Sequence, residues 1–294
     1  MTKSPRAVAQ QALRLAQEAL PAYSSKFSRR DFTQPQLFAL LTLKTFFKTD
    51  YRGVVQLLVD FRELRDDLGL DKAPHYSTLC KAEQRLLKKG EAVFLLIQAT
   101  VRAQDCGLIS ERPEAAIDAT GLESQHTSSY FFKRAGKKHS ARLWTKLTVV
   151  CDTGSHFFTA ATVSTGPSND APQFAPALNQ AALIVSWDRV LGDAAFDSEA
   201  NHRLCREDLG VRSTIIPINR RSQGRKWPQT KYRRQMKRSF PKRKYGQRWQ
   251  AESAFSRHKR RLGSALHGRS EPARERECQL RVLTHDLMLL AAAG

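Results

Sequence analysis

The feature that most constrains how this chain can fold is a change of apolar period near residue 112. Upstream of it apolar side chains recur at helical spacing, as in Leu37, Leu40, Leu41 and Phe47, with Lys44 the one interruption. Downstream, residues 115–121, 143–151 and 157–163 are short runs rich in β-branched, aromatic and small apolar residues. Asp152-Thr153-Gly154-Ser155 separates the last two runs and reads as a hairpin turn. Then follow a helix over 171–185, a strand over 189–192, a helix over 198–209 and a strand over 213–218. A three-strand meander that passes into alternating helix and strand predicts an α/β layer structure with a mixed five-stranded sheet.

The first hundred residues carry no strand pattern. Thr33 and Pro35 suit a helix start, and further helices are expected over 54–68 and 77–87, separated by the Gly- and Pro-containing stretch 69–74. That pair fits a helix-turn-helix that sets Lys81, Arg85, Lys88 and Lys89 against DNA. It fits equally well a plain helical bundle with a solvated basic face. The expected organisation is an all-α N-terminal domain over 1–110, a candidate DNA-binding unit, followed by an α/β domain over 111–294 that contains a basic insertion at 219–244; 294 residues at ~150 per domain agree with two.

Charge narrows the partner. The chain has 49 Lys and Arg against 28 Asp and Glu, a net charge of +21. A surface of one sign on that scale should meet a polyanion. Membrane insertion is not expected, because the longest apolar stretches, 92–101 and 287–293, fall well short of the ~20 residues a span needs. Residues 1–23 lack the uninterrupted apolar core of a secretion signal, so a cytoplasmic location is expected. The five cysteines are dispersed, with no CxxC pair, and read as reduced thiols rather than a disulfide framework or zinc ribbon.

Between Arg212 and Arg261 stand eighteen basic residues and a single acid, Glu252. Alone, that carboxylate is also what an ordinary surface ion-pair partner would be. At 100° per residue, however, Tyr245, Arg248, Glu252 and Lys259 share a stripe roughly 60° wide on one helix. Arg and Lys on such a face hold phosphates, and a carboxylate between them would repel phosphate unless a cation intervened. A hard divalent cation needs further oxygen ligands. The best placed are Asp118, set among Ala116, Ile117 and Ala119, and Asp193, which closes the Val190-Leu191-Gly192 run; either is also what a strand-end or helix-capping Asp would be. Asp152 in its turn and Asp197 at a helix start rank below them.

Asp118 in Ile-Asp-Ala-Thr-Gly-Leu, Asp193 in Gly-Asp-Ala-Ala-Phe-Asp-Ser, and Glu252 in Tyr245-x2-Arg248-x3-Glu252-x6-Lys259 together resemble the DDE transposases of bacterial insertion sequences. The block from Tyr245 to Gly263 is similar to the C-terminal signature of the IS-four and IS-five superfamily. The resemblance implies a ribonuclease H-like catalytic core with the first Asp on the first strand, the second just after the fourth, and the Glu on a later helix. It implies metal-dependent cleavage at transposon ends and strand transfer into target DNA by in-line phosphodiester displacement, with Mg²⁺ or Mn²⁺, two ions, held by Asp118, Asp193 and Glu252. Double-stranded DNA, as terminal inverted repeats and as target, is the implied partner of a homodimer acting in the bacterial cytoplasm at the nucleoid.

Tyr245, Arg248 and Lys259 are then the implied DNA contacts beside the scissile bond. The basic insertion, with Arg233, Arg234, Lys237, Arg238, Lys242, Arg243 and Lys244 and interleaved aromatics, is expected to track the backbone, with Trp249 next to it. One departure stands out: relatives often carry a long β-rich insertion before the Glu, and here 219–244 is short and basic. The alternatives are a non-catalytic DNA-binding protein derived from a transposase, and a metal-dependent endonuclease on the same core.

Overall fold

A computed structural model of the protein describes residues 1–124, 144–219 and 226–293. Leu143 of the second expected strand, and residues 220–225 of the basic insertion, lie outside the described residues. Packing divides the chain into two units, Met1–Leu108 with His258–Gly294, and Ile109–Arg257.

The first unit is helical: α1 (Pro5–Ala19), α2 (Gln34–Phe46), α3 (Tyr51–Asp60), α4 (Arg62–Asp67), α5 (Tyr76–Leu86) and α6 (Lys89–Asp105). Thr33 starts α2 as expected, through a capping box in which its hydroxyl accepts from the Gln36 amide while the Gln36 side chain accepts from the Thr33 amide. The helix expected over 54–68 is two helices, broken at Phe61, whose φ of −110° and ψ of 85° leave the helical region. The long C-terminal helix (Glu271–Ala293) also belongs to this unit rather than to the α/β one, contrary to the boundary expected at residue 110. Every residue from Cys278 to Leu290 is buried, and the helix packs on α1, α2 and α6. A helix enclosed on all sides lacks the polar face that marks a peripheral element.

The second unit carries β1 (Glu114–Ser124), β2 (Trp144–Asp152), β3 (Phe158–Gly166), α7 (Ala171–Ala182), β4 (Arg189–Gly192), α8 (Glu199–Arg203), β5 (Ser213–Ile215), α9 (Lys231–Arg238), α10 (Lys242–Tyr245) and α11 (Trp249–Leu262), the last running on into the first unit. Its strands lie in the order β3–β2–β1–β4–β5. The β1–β2 and β2–β3 pairs are antiparallel, β1–β4 and β4–β5 parallel. The sheet is therefore mixed, as expected, but it has six strands rather than five. α7 covers β2 and β3 with Phe174, Ala177, Leu178 and Ala181 buried beneath it.

The one helix expected to carry Tyr245, Arg248, Glu252 and Lys259 is not continuous. α10 ends at Tyr245, a 3₁₀ turn covers Gly246–Arg248, and α11 begins at Trp249.

Candidate catalytic site

Two of the acids are brought together by sheet register. In the parallel β1–β4 pair Glu114 faces Arg189, Ala115 faces Val190, Ala116 faces Leu191 and Ile117 faces Gly192. Asp118 and Asp193 each follow the last paired residue of their strand in that ladder, and the Asp193 charge acts on the Asp118 carboxyl. The mouth of an α/β sheet at the carboxyl ends of parallel strands is where such folds place their ligands. β1 continues along β2, with Asp118 opposite Val149. Asp118 is thus held in mid-strand while Asp193 sits at a strand terminus.

Asp193 starts a 3₁₀ turn over Ala194–Phe196 and accepts a 2.8 Å hydrogen bond from the Ala195 amide. Behind the turn, Phe196 is buried against Phe174, ring centroids 5.5 Å apart, and its carbonyl accepts from the Asn201 side chain. The turn is pinned from the core side.

Glu252 enters from the first turn of α11 and is the most exposed of the three, 56% against 14% for Asp118. Arg248 links them. Its guanidinium is ion-paired with Glu252 and lies 3.6 Å from Asp118 Oδ2, with the Tyr245 ring 6.0 Å away. Even across the 3₁₀ turn, Tyr245, Arg248 and Glu252 converge. Lys259 lies about two turns further along α11, past the point where the packing passes to the helical unit.

The electrostatics match the geometry. Burial, above all, pushes the Asp118 carboxyl up to about 6; the Ala119 amide and Arg248 oppose that rise, and Asp193 and Glu252 add to it. Tyr245 is also raised, first by burial, with Arg248 opposing and Asp193 and Asp118 contributing. One cationic side chain therefore offsets a cluster of buried and half-buried acids. Among the described residues no three His, Cys, Asp or Glu side chains stand close enough together to hold a metal ion. The donor chemistry nevertheless fits a hard cation: all three candidate groups are carboxylates, and the cost of ionising Asp118 beside two others is the cost a divalent ion relieves.

The remaining candidates separate by surroundings. Lys242, Arg243 and Lys244 on α10, and Arg234, Lys237 and Arg238 on α9, are exposed, as is Trp249 at 54%. Lys237 lies 6.0 Å over the Trp227 ring. Arg233 differs. Its guanidinium turns inward, Nε and Nη2 donating to the two oxygens of Asp197 at 2.9 and 2.8 Å, and its side chain is 18% exposed. Asp197 is not the helix cap it resembles, since the Ser198 hydroxyl caps α8. Asp152 does hold its turn, accepting from the Ser155 amide and hydroxyl.

Two contacts have no signal in sequence. Besides Asp197–Arg233, His156, at φ 66°, meets the Gln250 side-chain oxygen at 2.6 Å and ties the hairpin to the start of α11. With the Phe158–Phe255 ring contact at 5.8 Å, it fixes the helix that carries Glu252.

Asp118 on β1, Asp193 just past β4 and Glu252 on α11 are thus the candidate carboxylates of an α/β core with exposed basic helices. Residues 109–287, more than half of the chain, match the transposase DDE domain family, and the chain belongs to that family. The match covers both Asp blocks and the Tyr-Arg-Glu-Lys block. No curated protein matches the chain.

Proposed function

We propose that this chain is an insertion-sequence transposase of the IS-four or IS-five type, which cuts DNA at the element's ends and transfers the freed 3′ ends to target DNA. The observation that supports the reading is the parallel register of β1 and β4 immediately before Asp118 and Asp193, with Arg248 bridging Asp118 and Glu252. Asp118, Asp193 and Glu252 would hold divalent cations, Mg²⁺ or Mn²⁺. Such ions would supply Lewis-acid stabilisation of the charge that develops in a phosphodiester displacement. Arg248 and Tyr245 then face the phosphates beside the scissile bond, and Lys259 joins them by its place in the signature. Exposed cations on α9 and α10 supply affinity that does not depend on sequence. The helical unit would read the terminal repeats, and two copies would act on the two ends.

The test is cleavage and joining of a plasmid carrying the DNA that flanks this gene, in Mg²⁺, by wild type and by Glu252→Gln, Asp118→Asn and Asp193→Asn. The expected result is cut and joined products from wild type, both lost in each variant, with DNA binding retained. Cutting without joining would make the protein an endonuclease. Binding independent of metal, with no cut, would make it a DNA-binding derivative.

A further inference from the structure

The basic helix α9 is fastened to the segment that carries Asp193 by three carboxylates. Asp197 closes the 3₁₀ turn that Asp193 opens. Its side chain is fully buried, and it accepts from both prongs of Arg233 and, at 2.8 Å, from the Asn219 amide. Glu199, two residues on, caps α9 from outside by accepting from the Tyr232 and Arg233 amides at 3.0 and 3.1 Å, a service the Thr230 side chain does not perform. Burial raises the Glu199 carboxyl, but the Tyr232 amide, the Thr230 side chain and the Arg233 amide together outweigh it and leave the group below its ordinary range. Glu207 accepts from the Tyr232 hydroxyl at 3.0 Å, and Arg206 lies 4.8 Å over the same ring. Tyr232 and Met236 are buried on this side.

The opposite side of α9 has a different character. Lys231, Arg234 and Arg238 are exposed, although the Lys231 ammonium also donates to the Tyr232 hydroxyl at 3.2 Å and Arg234 to the Pro228 carbonyl at 3.2 Å. Helical geometry sets them within a stripe about 60° wide and about 10 Å long, the rise of roughly three base-pair steps. Arg233 falls about 130° from the middle of that stripe, toward the buried side.

We propose that Arg233 is a positioning residue and not a DNA contact: by locking α9 to Asp197 it holds the Lys231–Arg234–Arg238 ridge at a fixed offset from Asp193, so that phosphates seated on the ridge determine which phosphodiester lies at the carboxylates. This rests on the transposase reading above. A bidentate pair suits such a role, because it fixes orientation as well as distance, which the point charge of a lysine does not.

The experiment uses the full chain and a duplex oligonucleotide containing the element's end. Three readouts are compared: the slope of log affinity against log salt, the positions and rate of Mg²⁺-dependent cutting, and amide hydrogen exchange over 193–199 and 231–238. Arg234→Gln should lower the salt slope by about 0.9, the release expected for one phosphate contact, with the cut position unchanged. Arg233→Gln should leave the slope unchanged, scatter the cuts over neighbouring phosphodiesters, and slow cutting on the order of 10²-fold, the cost of a misplacement near 1 Å. It should also raise exchange in both segments together.

Arg233→Lys decides between charge and geometry. A phosphate contact survives that change, whereas a two-pronged lock does not, so it should scatter cuts as Arg233→Gln does. Should Arg233→Gln fail to fold, the double variant Asp197→Asn with Arg233→Gln removes both charges and is read in the same way. The proposal is overturned if Arg233→Gln lowers the salt slope as Arg234→Gln does while cutting at the same position. It is overturned equally if exchange over 193–199 is unaffected. Wild type that binds DNA and never cuts would instead refute the transposase reading, and the salt slope and exchange would still decide the role of Arg233.

Discussion

Replacing Asp118 by Asn should make the protein more stable at pH 8, by an amount the site itself sets. Burial leads the forces that lift this carboxyl from an ordinary 3.8 to about 6, against the Ala119 amide and Arg248, with Asp193 and Glu252 assisting. Because the folded value lies above the unfolded one, the native state binds the proton more tightly between them. Stability therefore falls as pH rises through the window from about 4 to about 6, and stays lowered above it. At about 1.4 kcal/mol for each pH unit, the gap of 6 − 3.8 amounts to roughly 3 kcal/mol at pH 8.

The Asp118 side chain is 14% exposed, so solvent screening removes little of this. An amide is neutral and close in shape to the protonated carboxyl, and so escapes the cost. Urea unfolding with a chelator present should show Asp118→Asn more stable by about 3 kcal/mol at pH 8 and by less than about 1 kcal/mol at pH 4. No gain at pH 8, or a gain that persists undiminished at pH 4, would refute the claim that an ionised Asp118 is held there at a cost.

Two further predictions concern the helical unit. Lys44 and Glu83 are paired at 2.6 Å with side chains 12% and 7% exposed, so Lys44→Met should cost about 3–5 kcal/mol in chemical unfolding by stranding Glu83, and adding Glu83→Leu should restore most of it. His258 is pushed down to about 3, first by burial and then by Arg281 and Lys259. Its folded value lies below the unfolded 6.5, so its share of stability is complete above pH 6.5 and is lost as pH falls toward 3. His258→Leu should flatten unfolding free energy against pH by up to about 1.4 kcal/mol per pH unit between pH 6 and pH 4; an unchanged slope would mean His258 takes up its proton without unfolding.

Period and punctuation in the sequence carried most of the α/β unit because the strands there are bounded by turn residues and bury much of their length. β2, for example, is buried at every position after Trp144. The same cues misplaced the C-terminal helix. Thirteen consecutive buried residues present no stripe to read, and Gln279, Arg281, Thr284, His285 and Asp286 look solvated in sequence although all are buried. Lys44 broke the apolar pattern of α2 for a reason that lies 39 residues away, at Glu83. Asp118 and Asp193 could be picked out as charges in apolar company, but their adjacency is a property of parallel register, which no local pattern encodes. The inward turn of Arg233 was hidden by composition: one arginine among many basic neighbours reads as surface until its partner, 36 residues earlier, is known.

Arg248 shows how spacing and electrostatics meet at the site. Asp118 is buried and feels the charges of Asp193 and Glu252, so its ionisation is costly unless a positive charge is near. Arg248 supplies it through a side chain that reaches Glu252 from one turn earlier and Asp118 across the gap. A guanidinium is always charged and presents several donors in a rigid fork, so it can serve two carboxylates at once where a lysine would serve one. The same fork is the group best matched to phosphate. Arg248 is committed to Asp118 and Glu252, and a phosphate that took it would remove the positive charge that lowers the cost of ionising Asp118.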